Sequence, residues 1–407
     1  MVVVGAGQAG LSLSYCLSER QIDHVVLERG AVGQSWRDQR WDSFCLVTPN
    51  WTVRLAGGAY DGEDPHGFMA RDEWLAWLEG YAARFGAPVV EHAEVTGVAS
   101  RDNQWDVAVR GHGSLTARAV VIATATHQLP RTPAAIGLPV GVQSVHAASY
   151  RQPDALAPGA VLVVGSGQSG TQIALELKRH GREVILATSR VGRLPRRYRG
   201  RDAIEWQARM GFLDRHHSAL DSPAARFNPD PHVSGHRGGE TIDLRQLGRD
   251  GIHLAGRLRG IEDGTLRFGS ELGHHLDFAD AFAGRFARAV DEHVAGTGCE
   301  AGPIDPADFL PATRTKPPGL TALSPADDGL GAVVWATGFR YCFNWLGVPE
   351  VLDASGYPVQ RDGRTVRRGL HFLGLNYVEH RRSGILYGAG VDGAQLAGVL
   401  AEDLGAR

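Results

Sequence analysis

The feature that most constrains the fold is a pattern that occurs twice: an apolar run, a turn of the form Gly-x-Gly-x-x-Gly, and an apolar-periodic stretch. The first copy spans residues 2–17 with its turn at 5–10, and the second spans 160–178 with its turn at 165–170. Short β-branched runs are typical of parallel strands buried on both faces. A helix that begins in such a turn directs free N–H groups at a phosphate. The sequence therefore predicts two Rossmann-type dinucleotide-binding units.

Each glycine of the turn has a separate task. The first permits the tight turn, the second lets the backbone approach pyrophosphate, and the third allows close packing of helix on strand. The residues predicted to contact the cofactors are Gly5, Gly7, Gln8, Ala9 and Gly10 in the first turn and Gly165, Ser166, Gly167, Gln168, Ser169 and Gly170 in the second.

The residue after the second strand of each unit predicts which dinucleotide is bound. Glu28 follows the apolar run 24–27, at the spacing expected for a carboxylate that holds ribose hydroxyls. In the second unit Ser189 and Arg190 replace the carboxylate, and they would accept a 2′-phosphate. This favours NADP(H) over NAD(H). Arg196, in the basic run that follows, is a further phosphate candidate, although such runs are more often solvated surface.

Charge and cysteine usage exclude several classes of protein. The 407 residues carry 42 Lys and Arg against 45 Asp and Glu, which gives no argument for nucleic acid or an anionic membrane as a partner. The four cysteines form no CxxC, which argues against a dithiol active site, a zinc knuckle and a secreted disulfide framework. No apolar run approaches the roughly 18 residues of a membrane span. The sequence predicts a cytoplasmic protein, and it leaves open whether residues precede Met1.

The spacing of the two turns predicts an α/β protein in which the second unit is inserted in the first. The first unit would cover residues 1–150 and 330–407, and the second 151–329. Regular patterns become sparse in 200–320, for which we expect loops and a partial lid on the substrate side. The adjacent histidines at 216–217 and 274–275 would point apart, so no metal site is predicted.

The chain resembles the class B flavin-dependent monooxygenases, the group of FMO-type and plant-type indole-pyruvate enzymes, and within it bacterial proteins known as putative K+-transport flavoproteins. The supporting motifs are 5–10, 33–37 (Gly-Gln-Ser-Trp-Arg), 46–49 (Leu-Val-Thr-Pro), 165–170, the basic run 192–202, and 336–339 (Ala-Thr-Gly-Phe). The resemblance implies FAD on the first unit and NADPH on the second.

The resemblance also implies roles for individual residues. Residues expected to contact a cofactor outside the glycine turns are Glu28, Arg29, Ser35, Trp36, Arg37, Thr48, Val95, Ala123, Thr124, Ala336, Thr337 and Gly338. Asp392 and Gln395 lie in the segment 388–396, which would present a helix N-terminus to the flavin O2. The catalytic candidates are Asn50, which is alternatively a turn asparagine, and Tyr377, which is alternatively a packing residue beside His380.

By resemblance, the chain is an enzyme that uses NADPH and O2 to insert one oxygen atom into a small organic substrate through a C4a-(hydro)peroxyflavin. Only His146 and Tyr150 remain of the family fingerprint ahead of the second turn, and the first Ala-Thr-Gly motif ends in Ala125. Two alternatives therefore stay open: an NADPH-dependent flavin reductase or oxidase without oxygen insertion, and a non-catalytic redox-sensing flavoprotein. The substrate and a homodimeric state also stay open.

Overall fold

The structure is a computed structural model that describes residues 1–133, 137–305 and 318–405. Its helices are α1 (Gln8–Glu19), α2 (Gln34–Asp38), α3 (Arg71–Arg84), α4 (Gln168–Arg179), α5 (Ala203–Arg209), α6 (Leu244–Arg249), α7 (Leu272–Thr297) and α8 (Leu386–Leu404). The strands up to the second glycine turn are β1 (Val2–Val4), β2 (Val25–Leu27), β3 (Arg54–Leu55), β4 (Gly58–Ala59), β5 (Val89–Val90), β6 (Val95–Arg101), β7 (Gln104–Val109), β8 (Gly113–Ala117), β9 (Val120–Ile122), β10 (Leu129–Pro130), β11 (Gln143–His146) and β12 (Ala160–Val164). The remaining strands are β13 (Val184–Ala187), β14 (Arg197–Tyr198), β15 (Arg201–Asp202), β16 (His253–Ala255), β17 (Leu258–Glu262), β18 (Thr265–Phe268), β19 (Ala322–Leu323), β20 (Leu330–Trp335), β21 (Phe339–Arg340), β22 (Gln360–Arg361), β23 (Arg364–Thr365) and β24 (Leu370–Phe372).

The first glycine turn follows β1, an inner strand of a seven-stranded sheet with the order β22-β23-β24-β9-β1-β2-β5. Strand β1 runs parallel to β2 on one side and to β9 on the other. Its three valines are buried, as expected for a parallel strand that is covered on both faces. Helix α8 packs on α1, the helix that follows the first glycine turn, and on strand β3.

The second glycine turn follows the middle strand of a five-stranded parallel sheet with the order β11-β20-β12-β13-β16. Strand β12 lies between β20 and β13 in the way that β1 lies between β9 and β2. The predicted α/β class with two Rossmann-like units is confirmed by these two sheets.

The strand β20 corrects the expected boundary at residue 330. The strand pairs with β11 and β12, so it belongs to the second sheet and not to the first. Strand β11 lies in the same sheet, although residues up to 150 were assigned to the first unit. The chain passes between the sheets at the antiparallel pair β10–β21, where Leu129 lies opposite Arg340.

The region 200–320 is more regular than expected. It contains α5, α6, the antiparallel strands β17 and β18, and the 26-residue helix α7. Helix α7 is bound to neighbouring segments through Asp280, whose carboxylate accepts hydrogen bonds from Arg193 and Arg245. Residues 306–317 of the expected lid lie outside the described residues. Within the described residues, no helix has the length and apolar character needed to cross a bilayer.

Candidate functional site

The first glycine turn is shaped by close contacts to the neighbouring strand. Gly5 has φ +108°, a conformation that side chains rarely adopt. A Cβ on Gly10 would lie 1.9 Å from the Gly5 carbonyl oxygen, so the third glycine is required for packing. A Cβ on Gly7 would meet no atom within 4 Å. The space beside Gly7 is therefore available to a ligand, at the point where α1 begins without a side-chain cap.

The second turn repeats this geometry. Gly165 has φ +105°, a Cβ on Gly170 would lie 1.8 Å from the Gly165 carbonyl oxygen, and the space beside Gly167 is again open. Helix α4 begins at Gln168 with no side-chain cap. Each turn thus presents free helix N–H groups next to an open backbone, which suits a pyrophosphate.

Glu28 is positioned by the backbone around the first turn. Its carboxylate accepts hydrogen bonds from the N–H groups of Ala6 (2.8 Å) and Gly30 (3.2 Å). The Glu28 carbonyl accepts from Ala93 N–H (2.8 Å), so the chain leading into Val95 runs beside this carboxylate. The structure therefore brings Glu28, the first glycine turn and the start of β6 into one region, as a ribose and adenine site requires.

Trp36 and Gln8 connect the helix α2 to the first turn. The Trp36 indole N–H donates to Gln8 Oε1 (3.3 Å), and the ring packs edge-on against Trp74 of α3. Arg37 is directed towards α3, where it pairs with Glu79, so its guanidinium is engaged away from Gln8. Of the other expected residues, Thr48 accepts a hydrogen bond from Thr52 (2.8 Å) and Ser35 is half-buried. Arg29 is exposed.

Asp392 is the clearest indication of a missing partner near the first turn. Its side chain is only 6% exposed, and neither carboxylate oxygen has a hydrogen bond of ordinary geometry, although the Ser383 hydroxyl is close enough to lower the pKa of the group. Burial raises the pKa of this carboxyl group. Asp392 lines a small cavity together with Gln8 and Ala9 of the first turn. A buried carboxyl group without partners is costly, so a ligand with hydroxyl groups would satisfy it.

The helix that carries Asp392 begins earlier than expected. Helix α8 starts at Leu386, so Asp392 and the exposed Gln395 lie in its second and third turns and do not form its N-terminus. The family resemblance places this start within 388–396. Gly374 and Gly384, which line the same cavity, were not predicted. The apolar run 370–373 that ends at Gly374 is the signal that would have found the first of them.

The strands β9 and β20 end beside the first and the second glycine turn. A Cβ on Gly5 would lie 2.8 Å from the Ala123 carbonyl oxygen, and one on Gly165 would lie 2.5 Å from that of Ala336. Thr124 accepts from Gln128 (3.1 Å), and Thr337 donates to the Arg131 carbonyl. The Gly338 carbonyl lies 3.1 Å from His146 Nε2, which orders the connection between the sheets.

The position expected to select NADPH is exposed. Arg190 lies over the ring of Phe278 at 4.3 Å, and the structure gives its guanidinium no ion pair within the described residues. The Ser189 N–H donates to the buried Ser166 hydroxyl (2.9 Å), which ties this loop to the second turn. The geometry is that of an open cationic site beside a phosphate-binding turn.

Arg196 does not belong to that site. It is buried, its Nε donates to Asp202 (2.7 Å), and its Nη1 donates to the Val47 carbonyl (2.8 Å). Because these groups occupy the guanidinium, the prediction that Arg196 binds the phosphate is wrong, and the side chain stabilises the fold instead.

The two catalytic candidates are held by their own turns. The Asn50 amide donates to the Asp64 carbonyl (2.9 Å) and its oxygen accepts from Met69 N–H (2.8 Å), so Asn50 orders the loop between them. Tyr377 lies in a turn with φ +53°, and Arg381 lies over its ring at 5.7 Å. Within the described residues no hydrogen bond joins Asn50 to Tyr377. Burial raises the pKa of Tyr377, so its hydroxyl is a donor at neutral pH.

Comparison with known proteins identifies the class to which this geometry belongs. A family model described as pyridine nucleotide-disulphide oxidoreductase matches residues 2–201. An uncharacterized CzcO-like oxidoreductase from Geobacillus kaustophilus is 31% identical over 402 residues, which cover 97% of this chain and 96% of that protein. The protein is therefore an oxidoreductase.

Two further similarities concern part of the sequence and the fold. The indole-3-pyruvate monooxygenase YUCCA1 from Oryza sativa subsp. japonica is 35% identical over 188 residues, 44% of this chain and 45% of that protein. A variant of a flavin monooxygenase from Stenotrophomonas maltophilia has the same fold, with a TM-score of 0.66 at 20% identity over 98% of this chain and 97% of that one. The chain belongs to the CzcO-like oxidoreductases, a class B flavin-dependent monooxygenase-like family.

Proposed function

We propose that this enzyme is an FAD- and NADPH-dependent monooxygenase that transfers one atom of O2 to a small organic substrate, at nitrogen, sulfur or an activated carbonyl, through a C4a-(hydro)peroxyflavin. The observation that carries the proposal is the duplicated glycine turn, with open space beside Gly7 and beside Gly167. A relative named as a monooxygenase matches almost half of the chain. This match supports flavin-dependent monooxygenase activity as a class, without the substrate or the flavin intermediate.

The first unit fits FAD. Its pyrophosphate would lie at Gly7 and the start of α1, and Glu28 would accept hydrogen bonds from the adenosine ribose. Asp392, beside Gln8 and Ala9, would meet a hydroxyl-bearing part of the cofactor. Burial raises the pKa of Asp392, so a cofactor hydroxyl group that hydrogen-bonds to this carboxyl group would offset the cost of burying it. When bound, FAD supplies the electron transfer and the activation of oxygen.

The second unit fits NADPH. The open backbone at Gly167 would receive the pyrophosphate, and Arg190 would pair with the 2′-phosphate. NADPH would deliver two electrons, so that one oxygen atom enters the product and the other leaves as water. The contribution of the chain is to orient the two dinucleotides and to exclude water from the region between them.

The test is rapid-mixing absorbance spectroscopy of the yellow enzyme. The flavin is first reduced with NADPH without oxygen and is then mixed with oxygenated buffer that contains NADP+. The proposal predicts fast bleaching by NADPH and then an intermediate with a blue-shifted absorbance maximum before oxidised flavin returns. If oxidised flavin returns directly, with one peroxide released per NADPH in the presence and absence of candidate amines and sulfides, the oxygenase assignment fails.

The second candidate is a reductase or oxidase without oxygen insertion. The pyridine nucleotide-disulphide oxidoreductase model that matches residues 2–201 favours it. The four cysteines do not support a dithiol route, because they form no CxxC motif and Cys16 and Cys45 are buried. Peroxide release equal to NADPH consumption would support this candidate. An enzyme that holds FAD but is not reduced by NADPH would support the redox-sensing alternative instead.

A further inference from the structure

Two adjacent histidines and a carboxylate meet at the surface, apart from both glycine turns. His216, His217 and Asp362 each present one donor atom, and these atoms lie within 4.8 Å of one another. His216 Nε2 is 3.8 Å from Asp362 Oδ1. The histidine pair and Asp362 come from two segments that are far apart in sequence, and all three residues are at least partly accessible to solvent.

The structure corrects the expectation that these two histidines point apart. His216 is the N-terminal cap of a 3-10 turn formed by His217–Ala219, and its backbone is extended (φ −71°, ψ 152°). The change of backbone conformation between the two residues brings their rings together, with centroids 4.0 Å apart. Adjacent side chains point apart only within a regular helix or strand, and these two residues lie at the boundary of a 3-10 turn.

We propose that His216, His217 and Asp362 bind one divalent first-row transition metal ion of the Zn²⁺ type. Neutral imidazole and carboxylate are ligands that these ions favour, and two histidines with one carboxylate form a complete protein ligand set in several metal-site classes. Around a tetrahedral ion at about 2.0–2.1 Å, donor atoms are about 3.3 Å apart. Side-chain movements of about an ångström would bring the three donors to this spacing.

The surroundings of His216 suit coordination through Nε2. A ligating histidine donates its other ring N–H to a nearby acceptor, which fixes the ring orientation. The Ser218 hydroxyl oxygen lies 2.8 Å from His216 Nδ1 and can accept that proton. The Ser218 backbone N–H also lies 3.2 Å from Nδ1, so coordination would replace this longer contact with the hydroxyl contact.

The position of Asp362 is fixed by the backbone. Asp362 (φ +52°) and Gly363 (φ +81°) form the two-residue turn between β22 and β23, the arrangement of a type I′ hairpin. Within the described residues, the arginine paired with this carboxylate is Arg361, whose Nε is 3.9 Å away. This pair is exposed and contributes little energy, so it is a weak competitor for a metal ion.

The metal would reinforce a contact between two separate parts of the chain. The His217 N–H donates to the Glu379 carbonyl (2.8 Å), and the Arg381 N–H donates to the Arg215 carbonyl (2.8 Å). Asp362 and Glu379 also line a cavity of about 170 Å³ that reaches Asp392. The bound ion would hold the segment around His217 against this cavity wall.

The experiment counts metal ions on the flavin-containing enzyme. The protein is treated with a chelator, dialysed, and titrated with ZnCl2 against a chromophoric indicator, and bound zinc is measured by mass spectrometry. We expect one Zn²⁺ per chain and at least about tenfold weaker binding in His217→Ala and in Asp362→Asn. Asparagine keeps the turn because it also adopts positive φ. The control is His253→Ala, which removes an exposed histidine 3.6 Å from Glu183 and should leave the affinity unchanged.

Two results would overturn the proposal. One is a wild-type chain that binds no Zn²⁺ with a dissociation constant below about 100 μM. The other is stoichiometric binding that persists at full affinity in both variants. Circular dichroism and flavin content establish that each variant is folded, and His216→Gln replaces His217→Ala if the latter does not fold. Because the readout is bound zinc, the result does not depend on the proposed oxygenase activity.

Discussion

At the scale of single residues, the proposed function assigns to Arg190 the preference of the second unit for NADPH. Its guanidinium is exposed beside the second glycine turn and is positioned by the ring of Phe278. In Arg190→Ala we expect the KM for NADPH to rise about tenfold, since a charge-assisted hydrogen bond to phosphate contributes about 1.5 kcal/mol or more. The KM for NADH should stay within about twofold.

Steady-state kinetics with both nucleotides measure this difference. Arg101→Ala, which removes an exposed arginine from the β6–β7 turn, is the matched control and should change neither KM. Equal increases in KM for NADPH and NADH would show that Arg190 does not contact the 2′-phosphate.

His371 makes the stability of the fold dependent on pH. The side chain is buried in β24, and neither ring nitrogen has a hydrogen-bond partner. Burial lowers the pKa of His371 to about 4, below its unfolded value near 6.5. The unfolded chain therefore binds more protons between these values, and the stability falls as the pH decreases from about 6.5 to about 4, by up to about 1.4 kcal/mol per pH unit.

Replacement of His371 by leucine should remove this contribution. We expect the thermal midpoint of His371→Leu to fall less than that of the wild type between pH 7 and pH 5, in matched buffers. Burial also lowers the pKa of His232 to about 4. His232 differs from His371 in that its Nε2 is hydrogen-bonded to the Ser166 carbonyl, so the two buried histidines can be compared with and without a hydrogen-bond partner. A variant with the wild-type pH dependence would exclude His371 as a source.

The sequence predicted the glycine turns because their task is local. Gly5, Gly10 and Glu28 act on atoms of their own βαβ unit, so a fixed spacing is sufficient to find them. Arg196 could not be assigned in this way, because its partners Val47 and Ser234 come from other segments. A run of basic residues does not show which of its members are buried.

At the scale of elements, a buried hydrogen-bond group connects helix α4 to the rest of the molecule. Glu176 accepts from the Tyr150 hydroxyl (2.7 Å) and from the Ser43 hydroxyl (2.5 Å). Burial and the neighbouring carboxylate raise the pKa of Tyr150, so the hydroxyl stays protonated and donates. Through these bonds α4 is joined to the segment before β12 and to the first unit.

Tyr150→Phe should destabilise the enzyme by about 1–3 kcal/mol, since one oxygen of a buried carboxylate loses its donor. The measurement is the denaturant or thermal unfolding midpoint, with flavin content determined in parallel. Tyr60→Phe is the control, because no hydrogen bond of the Tyr60 hydroxyl is found within the described residues. An unchanged midpoint in Tyr150→Phe would show that water replaces the tyrosine hydroxyl without cost.

The boundaries of elements were less predictable than their existence. The sequence placed a boundary between the units at residue 330, but it did not show which sheet β20 joins, because the partner of a strand is not encoded in the residues of the strand itself. The start of α8 was misplaced because it was taken from the family resemblance of the segment 388–396, which contains the glycines 388, 390 and 393. In the structure these glycines allow α8 to pack closely: a Cβ on Gly390 would lie 2.6 Å from the Arg54 carbonyl oxygen.

At the scale of the whole molecule, two similar glycine turns are proposed to bind different cofactors, FAD at the first turn and NADPH at the second. In both turns the middle glycine is open and the third is packed, so the two positions separate ligand binding from folding. Gly10→Ala and Gly170→Ala should impair folding, because a Cβ there would overlap a backbone oxygen. Gly7→Ala and Gly167→Ala should fold, since a methyl group meets no protein atom within 4 Å.

The most direct test of the central claim is the flavin content and the anaerobic rate of flavin reduction in Gly7→Ala and Gly167→Ala. The account predicts that Gly7→Ala is purified depleted of FAD, whereas Gly167→Ala retains its FAD and requires a higher NADPH concentration for half-maximal reduction. If Gly167→Ala lost its flavin, or if both variants kept FAD and were reduced like the wild type, the assignment of FAD to the first turn and NADPH to the second would be contradicted.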